Sequence, residues 1–290
     1  MAEPVEIFEV GPRDGLQNES RMIPAADKIA LIDLLSTAGF RRIEVASFVS
    51  PRWVPQMADG AEVLAGIRRA PGVRYAALTP NPQGYDRARA AGADEVAIFA
   101  AASEGFSKAN INATIAESLD RFAPVAAAAR RDGVALRGYV SCVSDCPYDG
   151  PVAPEAVARV AAALRAMGCY EVSLGDTIGQ GTPERIDAML AAVTGAVPAA
   201  ALAGHYHDTA ARALDNIEAS LARGVRVFDA AVGGLGGCPF APGAKGNVAT
   251  ERVAARLAVL GFATGLDDAV LAQAAAMARA LREEKGSGDV

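Results

Sequence analysis

The chain has two histidines, and they stand two residues apart in His205-Tyr206-His207-Asp208. Side chains at i and i+2 of an extended segment point the same way, so both imidazoles can reach one cation. A lone histidine is more often structural. Spending the whole histidine supply on one H-x-H points to a metal site, although two nitrogens do not complete one. Oxygen donors must supply the rest, and Asp14 and Asn247 are the candidates. Imidazole, carboxylate and amide donors with open positions suit an octahedral divalent ion, Mg2+ or Mn2+, better than a closed tetrahedral zinc site, with zinc left open.

Four further groups could do chemistry. The run Gly-Pro-Arg-Asp-Gly-Leu-Gln-Asn-Glu at 11–19 gathers Arg13, Asp14 and Gln17; it is either part of a site or a polar turn whose exposed ion pair contributes almost nothing. The stretch 233–247 holds six glycines and Cys238. Such a loop can bend tightly and move as a flap, and a thiol on it beside a metal can act as acid, base or nucleophile; the plainer reading is a flexible connection. Glu44 sits in an apolar run and either faces inward, toward Arg13 or a metal-bound water, or pairs outside with Arg42. Asp176 and Thr177, in Ser-Leu-Gly-Asp-Thr-Ile-Gly, either touch a ligand or cap the next helix. Cys142 and Cys146 read as structural and Cys169 as core.

These groups need positioning elements, and the hydrophobic periodicity supplies them. Eight short β-rich runs, at 6–10, 42–47, 73–79, 95–100, 135–141, 170–174, 200–205 and 225–231, alternate with patterns of helical period at 24–38, 55–69, 114–131, 154–167, 183–194 and 209–223. Helices that start on Pro and stop at Gly, as at Gly39, Gly168 and Gly224, mark the boundaries. Strand and helix alternating eight times predicts an α/β fold, the closed parallel TIM (β/α)8 barrel, with additional C-terminal helices over 248–260 and 267–282. An open doubly wound sheet is the alternative, but no G-x-G-x-x-G follows the first strand. With no linker or low-complexity segment, residues 1–290 read as a single domain. In a barrel, reactive groups gather where strands end C-terminally, which is where Asp14, His205, His207, Asp176 and Asn247 are expected.

Composition narrows the partners. Arg and Lys number 28 against 34 acidic residues, a net charge of −6, so nothing favours nucleic acid or an anionic membrane surface. No apolar run reaches the ~20 residues of a membrane span, and Pro198 interrupts the best candidate, 191–202. Four cysteines are too few for a disulfide scaffold, and the start Met-Ala-Glu-Pro-Val-Glu-Ile-Phe-Glu-Val is not read as a secretory leader. A cytoplasmic setting is expected, and apolar helices after the last strand suit a homodimer.

The assembled motifs resemble the 3-hydroxy-3-methylglutaryl-CoA lyases, within the wider group of barrel metallolyases and acyl-CoA condensing enzymes. The matching pieces are 9–19, 47–57, 137–142, 173–179, 205–209, 234–243 and 246–251, spread along almost the whole chain; Gly-Leu-Gly-Gly-Cys-Pro at 234–239 points to the lyase branch. The resemblance implies cleavage of 3-hydroxy-3-methylglutaryl-CoA, an acyl-CoA thioester, to acetyl-CoA and acetoacetate. It implies that Asp14, His205, His207 and Asn247 hold the cation, and that Arg13 stabilises the enolate. Glu44 would order Arg13 and the metal's surroundings, and Cys238 would help protonate the enolate. Gln17, Ser47, Tyr139, Asp176 and Thr177 would contact substrate. The chain departs from the family pattern at 210–211, where Ala-Ala replaces an expected Gly-Gln, at Lys245, where Ser or Thr is usual, and at Arg252, where an acidic residue is usual. A relative acting on citramalyl-CoA or a longer 3-substituted glutaryl-CoA would share these residues, and a non-catalytic acyl-CoA-binding barrel is the reading of a different class.

Overall fold

The structure, a computed structural model, describes residues 2–237 and 246–282. Eight parallel strands close into a barrel: β1 (Glu6–Glu9), β2 (Arg42–Ser47), β3 (Arg74–Leu78), β4 (Glu95–Ala101), β5 (Ala135–Ser141), β6 (Glu171–Asp176), β7 (Leu202–Tyr206) and β8 (Val227–Ala230), with β8 paired to β1. Each expected strand is present. Closure leaves no unpaired edge, which a parallel sheet otherwise needs extra cover to protect. Alternation sorts the side chains: Ile43, Val45, Ile98, Val172, Leu174 and Phe228 are buried outward beneath the helices, each contributing on the order of 2 kcal/mol. Inward positions carry most of the buried charged groups, among them Glu44, Arg137, Glu171 and Asp229.

The helices are α1 (Ala25–Leu35), α2 (Gly60–Gly66), α3 (Pro82–Ala90), α4 (Glu104–Ile111), α5 (Ile115–Arg131), α6 (Pro154–Met167), α7 (Pro183–Thr194), α8 (Ala213–Ala222), α9 (Thr250–Val259) and α10 (Asp268–Arg282). α5 starts in a capping box between Thr114 and Glu117, and α6 starts on Pro154 and ends at left-handed Gly168. None of the described helices is long and apolar enough to cross a membrane.

Three expectations are corrected in detail. The helix expected over 55–69 is a 3-10 turn, Pro55–Met57, followed by the short α2, with Asp59 between them ion-paired to the buried Lys28 at 2.8 Å and Ile67 in extended backbone ending it. The sixth strand runs on to Asp176 rather than stopping at 174. The helix expected from 209 starts at Ala213, since Ala211 takes a left-handed φ of 57° that a helix cannot continue through. α3 and α4 were not read from the sequence.

Inside the lower half of the barrel a charge network replaces an apolar core. Arg137, 0% exposed, donates to both oxygens of Asp229 at 3.0 and 2.7 Å and to Glu171 at 2.7 Å. Arg42 donates to Glu171 at 3.0 Å and to Glu6 at 2.7 Å. Each guanidinium meets carboxylates in fork geometry, the arrangement in which buried ions are tolerated.

Candidate metal centre and active site

β1 runs into a single π-helical turn, Gly11–Gly15, in which the amides of Arg13, Asp14 and Gly15 all donate to the Val10 carbonyl. The turn aims Arg13 and Asp14 into the mouth. It fits only because Gly15 has no side chain: a Cβ there would lie 2.6 Å from Leu235 Cβ. β7 carries His205 on its inner face, and His207 follows directly, in an antiparallel bridge to Asn247. Backbone bonds from Asp208 to the Gly246 carbonyl (2.8 Å) and from Val248 to the Tyr206 carbonyl (3.2 Å) bring the far end of the Gly-rich loop to that position.

The result is a convergent group of Asp14, His205 and His207, whose ligand atoms all lie within 4.8 Å of one another. His205 Nε2 lies 3.4 Å from His207 Nε2 and 3.8 Å from Asp14 Oδ2. Nδ1 of His205 meets Asp229 Oδ2 at 3.1 Å, which leaves Nε2 turned inward. Burial pushes the Asp14 carboxyl up, but Arg13, the two imidazoles and Asn247 outweigh it and hold it down at about 2. Burial, with His205 beside it, depresses His207 to about 4, so this ring is neutral at pH 7. For His205, burial works downward while Asp229 and Asp14 win and raise it. Two ring nitrogens face each other beside an ionised carboxylate, and with the His205 Nδ1 proton directed at Asp229 its Nε2 offers a lone pair inward. A cation fits that set, and the mixed nitrogen and oxygen donors suit a divalent ion. Asn247 is 4% exposed and turns its amide nitrogen to Asp14 Oδ2 at 2.8 Å.

Beside this group lies a positive one. Arg13, 5% exposed, donates Nε to Glu44 Oε2 at 2.5 Å and Nη1 to Asp14 Oδ1 at 2.7 Å, and its guanidinium lies 5.4 Å from the centre of the Tyr139 ring. Tyr139 also donates to Glu44 Oε2, at 3.1 Å. Glu44 therefore faces inward and pairs with Arg13. The outside pairing with Arg42 does not occur, because both residues share the inner parity of β2 and Arg42 is engaged lower in the barrel. Burial raises the Glu44 carboxyl in spite of Arg13. The arrangement can present an organised cation to a negative charge that develops next to a bound metal.

A family model described as HMGL-like matches residues 4–278. The chain belongs to the HMGL-like family. It is 60% identical over 263 residues, 91% of this chain and 88% of the other, to a protein of Pseudomonas aeruginosa named 3-hydroxy-3-isohexenylglutaryl-CoA/hydroxy-methylglutaryl-CoA lyase. A crystal structure of the HMG-CoA lyase from Brucella melitensis superimposes with a TM-score of 0.96 at 64% identity, covering 98% of this chain and 100% of that one. An Acinetobacter baumannii HMG-CoA lyase solved with coenzyme A and 3-methylmalate matches with a TM-score of 0.91 at 36% identity, covering 96% of this chain and 91% of that one.

Within this HMGL-like barrel, the other residues singled out from the sequence separate. Gln17 lies at the mouth and donates to Asp14 Oδ1 at 3.1 Å. Ser47 is 2% exposed, with an Oγ that has no partner among the described residues. Asp176 accepts from Ser144 Oγ (2.7 Å) and from the Gly181 amide (2.9 Å), and Thr177 Oγ1 accepts from the Cys142 amide at 2.8 Å. Both hold the loops after β5 and β6, and the cap of α7 is Thr182 instead. Cys238 and Lys245 lie outside the described residues. Cys142 and Cys146 are buried with Ala101 and Phe106, and Cys169 lies in the main core.

Sequence reasoning missed Asp229, Arg137 and Ser173, which hold His205 from behind: Ser173 Oγ donates to Asp229 Oδ2 at 2.7 Å. The available signal was parity, since Arg137 shares the face of Tyr139 on β5 and Asp229 breaks an apolar strand. It also missed Glu9, whose carboxylate accepts from the Gly11 and Val232 amides and from Thr250. Arg252, the departure from the family pattern, ion-pairs with Asp208 at 2.5 Å and so ties α9 to the residue after His207.

Proposed function

We propose that this HMGL-like chain is a carbon-carbon lyase that cleaves 3-hydroxy-3-methylglutaryl-CoA to acetyl-CoA and acetoacetate, using a divalent cation. The observation that carries the reading is the convergence of Asp14, His205 and His207 beside an Arg13 clamped by Glu44 and Tyr139. The names of the relatives agree with it. Asp14, His205, His207 and Asn247 would hold Mg2+ or Mn2+. When bound, the ion makes the tertiary hydroxyl easier to ionise.

Cleavage breaks the C2–C3 bond: the hydroxyl-bearing carbon becomes the ketone of acetoacetate, and the electron pair passes to the thioester as an enolate. Arg13 faces that oxygen and stabilises its charge, the preorganised cation being of most value in a site that excludes water. Glu44 and Tyr139 keep Arg13 in place. Cys238 delivers the proton that converts the enolate carbon to the methyl of acetyl-CoA, and the hydroxyl proton leaves through the Asp14–His205 pair. Gln17, Ser47, Asp176 and Thr177 shape the substrate's surroundings, directly or through the loops they hold. The whole chain, 1–290, works as one lyase domain, as a homodimer in the cytoplasm.

The test is acetyl-CoA release from 3-hydroxy-3-methylglutaryl-CoA by the purified protein, after chelation and with Mg2+ or Mn2+ restored. Metal-dependent release is expected, and Cys238→Ala is expected to keep ligand binding while turnover falls by about 10^2-fold or more. Release that ignores chelation would sink the metal-dependent reading. One observation favours a second reading, a longer 3-substituted glutaryl-CoA as substrate: the 60% identical relative is named for both substrates.

A further inference from the structure

The mouth of the barrel has two unlike halves. The closed strand order places β3, β4 and β5 diametrically across from β7, β8 and β1. The metal-binding group and Arg13 come from β1, β7 and the segment after β8. Facing them, Leu78 at the end of β3, Ala97 of β4 and Tyr139 of β5 form an apolar cluster of their own, which Phe99 links to the core between barrel and helices. Register explains why these side chains meet: Ser47, Leu78 and Ala97 are successive partners across β2, β3 and β4, so all three share the inner face. Leu78 and Tyr139 remain 7% and 9% exposed, open toward the mouth. Tyr139 joins the halves, its ring edge-on to His205 with centroids 6.3 Å apart and its hydroxyl on Glu44. Such a wall is not needed to close the barrel, because the lower lumen is already filled by the paired charges.

We infer that Leu78 and Ala97 set the size of the C3 substituent that the enzyme accepts, Leu78 as the stop and Ala97 as the adjoining space. This rests on the lyase reading above. The reacting carbon bears four groups: a hydroxyl, the arm leading to the thioester, a carboxymethyl and an alkyl chain. The hydroxyl belongs with the metal-binding group and the thioester oxygen with Arg13. The carboxylate can be met by Ser47, whose partnerless Oγ stands beside Leu78 on the inner face, whereas a carboxylate set against the methyl of Ala97 would be desolvated, a costly placement. The alkyl group is the one that an apolar wall can take. An apolar pocket discriminates by size, about 10- to 200-fold for each methylene gained or lost.

The test compares 3-hydroxy-3-alkylglutaryl-CoA thioesters bearing methyl and butyl chains, with the wild-type protein and two variants of opposite sense. Leu78→Ala is expected to raise the butyl-to-methyl ratio of kcat/KM at least ~10-fold, and Ala97→Leu to lower it by as much. Calorimetry with the corresponding 3-alkylglutaryl-CoAs, which lack the hydroxyl and cannot be cleaved, is expected to show the same ordering in Kd. Ratios within twofold of wild type in both variants, in turnover and in binding, overturn the inference while wild-type acetyl-CoA release keeps the lyase reading standing. Binding ratios that shift as expected with no acetyl-CoA released by wild type from any thioester would support the pocket and remove the lyase reading instead.

Discussion

Turns at the N-terminal face of the barrel pass through left-handed backbone on glycine, as at Gly39 (φ 96°) and Gly168 (φ 106°), whereas at the C-terminal face Cys142 (φ 61°) and Ala211 (φ 57°) adopt it with a side chain attached. The interior divides the same way. Low in the lumen, Arg42 and Arg137 are matched by Glu6, Glu171 and Asp229. At the mouth, buried atoms of Glu44 (Oε1), Ser47 (Oγ), His207 (Nδ1) and Thr209 (Oγ1) have no partner among the described residues, against Glu95 (Oε2) at the low end of β4, and the ligand atoms of Asp14, His205 and His207 converge within 4.8 Å. Satisfied charge and relaxed turns serve stability. Unsatisfied groups and strained turns persist where a bound species completes them, as expected of the two faces of such a barrel.

That contrast breaks if both ends respond alike to substitution. The largest effect is expected from His207→Ala, which removes one of the groups proposed to hold the cation without unpairing any other buried charge: turnover falls by about 10^3-fold, calorimetric Mn2+ binding weakens at least ~100-fold, and metal-free stability stays within about 1 kcal/mol of wild type. A comparable collapse of stability would end the division. Arg137→Met, at the lower end, is expected to cost about 3–5 kcal/mol in chemical denaturation by leaving Asp229 without its guanidinium, while Glu171 keeps Arg42. Full stability in that variant would mean the network is dispensable packing.

A third prediction uses pH. Burial, helped by the charge of Glu251, lifts the Glu9 carboxyl to about 7 against the hydrogen bonds from Thr250, Val232 and Gly11. A carboxyl raised on folding contributes stability in full below its ordinary value of 4.5 and loses it as pH rises through about 7. Glu9→Gln cannot ionise, so the wild type should lose up to ~3 kcal/mol relative to the variant between pH 4.5 and 8; parallel denaturation curves across that range would refute this. The smallest effect belongs to Ala211→Gly. Relief of the left-handed strain, partly offset by the greater freedom of glycine in the unfolded chain, should raise stability by up to about 1 kcal/mol in thermal melts.

The sequence made the barrel readable because eight short runs with an apolar outward face recur between stretches of helical period, and because Pro and Gly bracket α6 and α7. α3 and α4 escaped because Pro-Gln-Gly-Tyr-Asp-Arg-Ala-Arg-Ala and Glu-Gly-Phe-Ser-Lys-Ala-Asn-Ile show little apolar period; they fold where the barrel offers them a surface. In the site, His205 and His207 were legible from spacing alone, and Asp14 from its position after a strand. The side that Glu44 faces was open until the parity of β2 and the place of Arg13 were known.

By itself, then, the amino-acid sequence determined which segments become strand or helix and which face of each is apolar, since period and turn chemistry are local properties. It also determined that the histidine donors lie on one strand end. Only the closed tertiary structure decided what those donors meet. Asp229 stands behind His205, Arg137 stands behind Asp229, and Leu78 lies across from the metal-binding group because eight strands share one axis in a particular register, and that register brings together residues as far apart in the chain as Asp14 and Asn247. No local pattern records such distances, because they follow from closing the sheet.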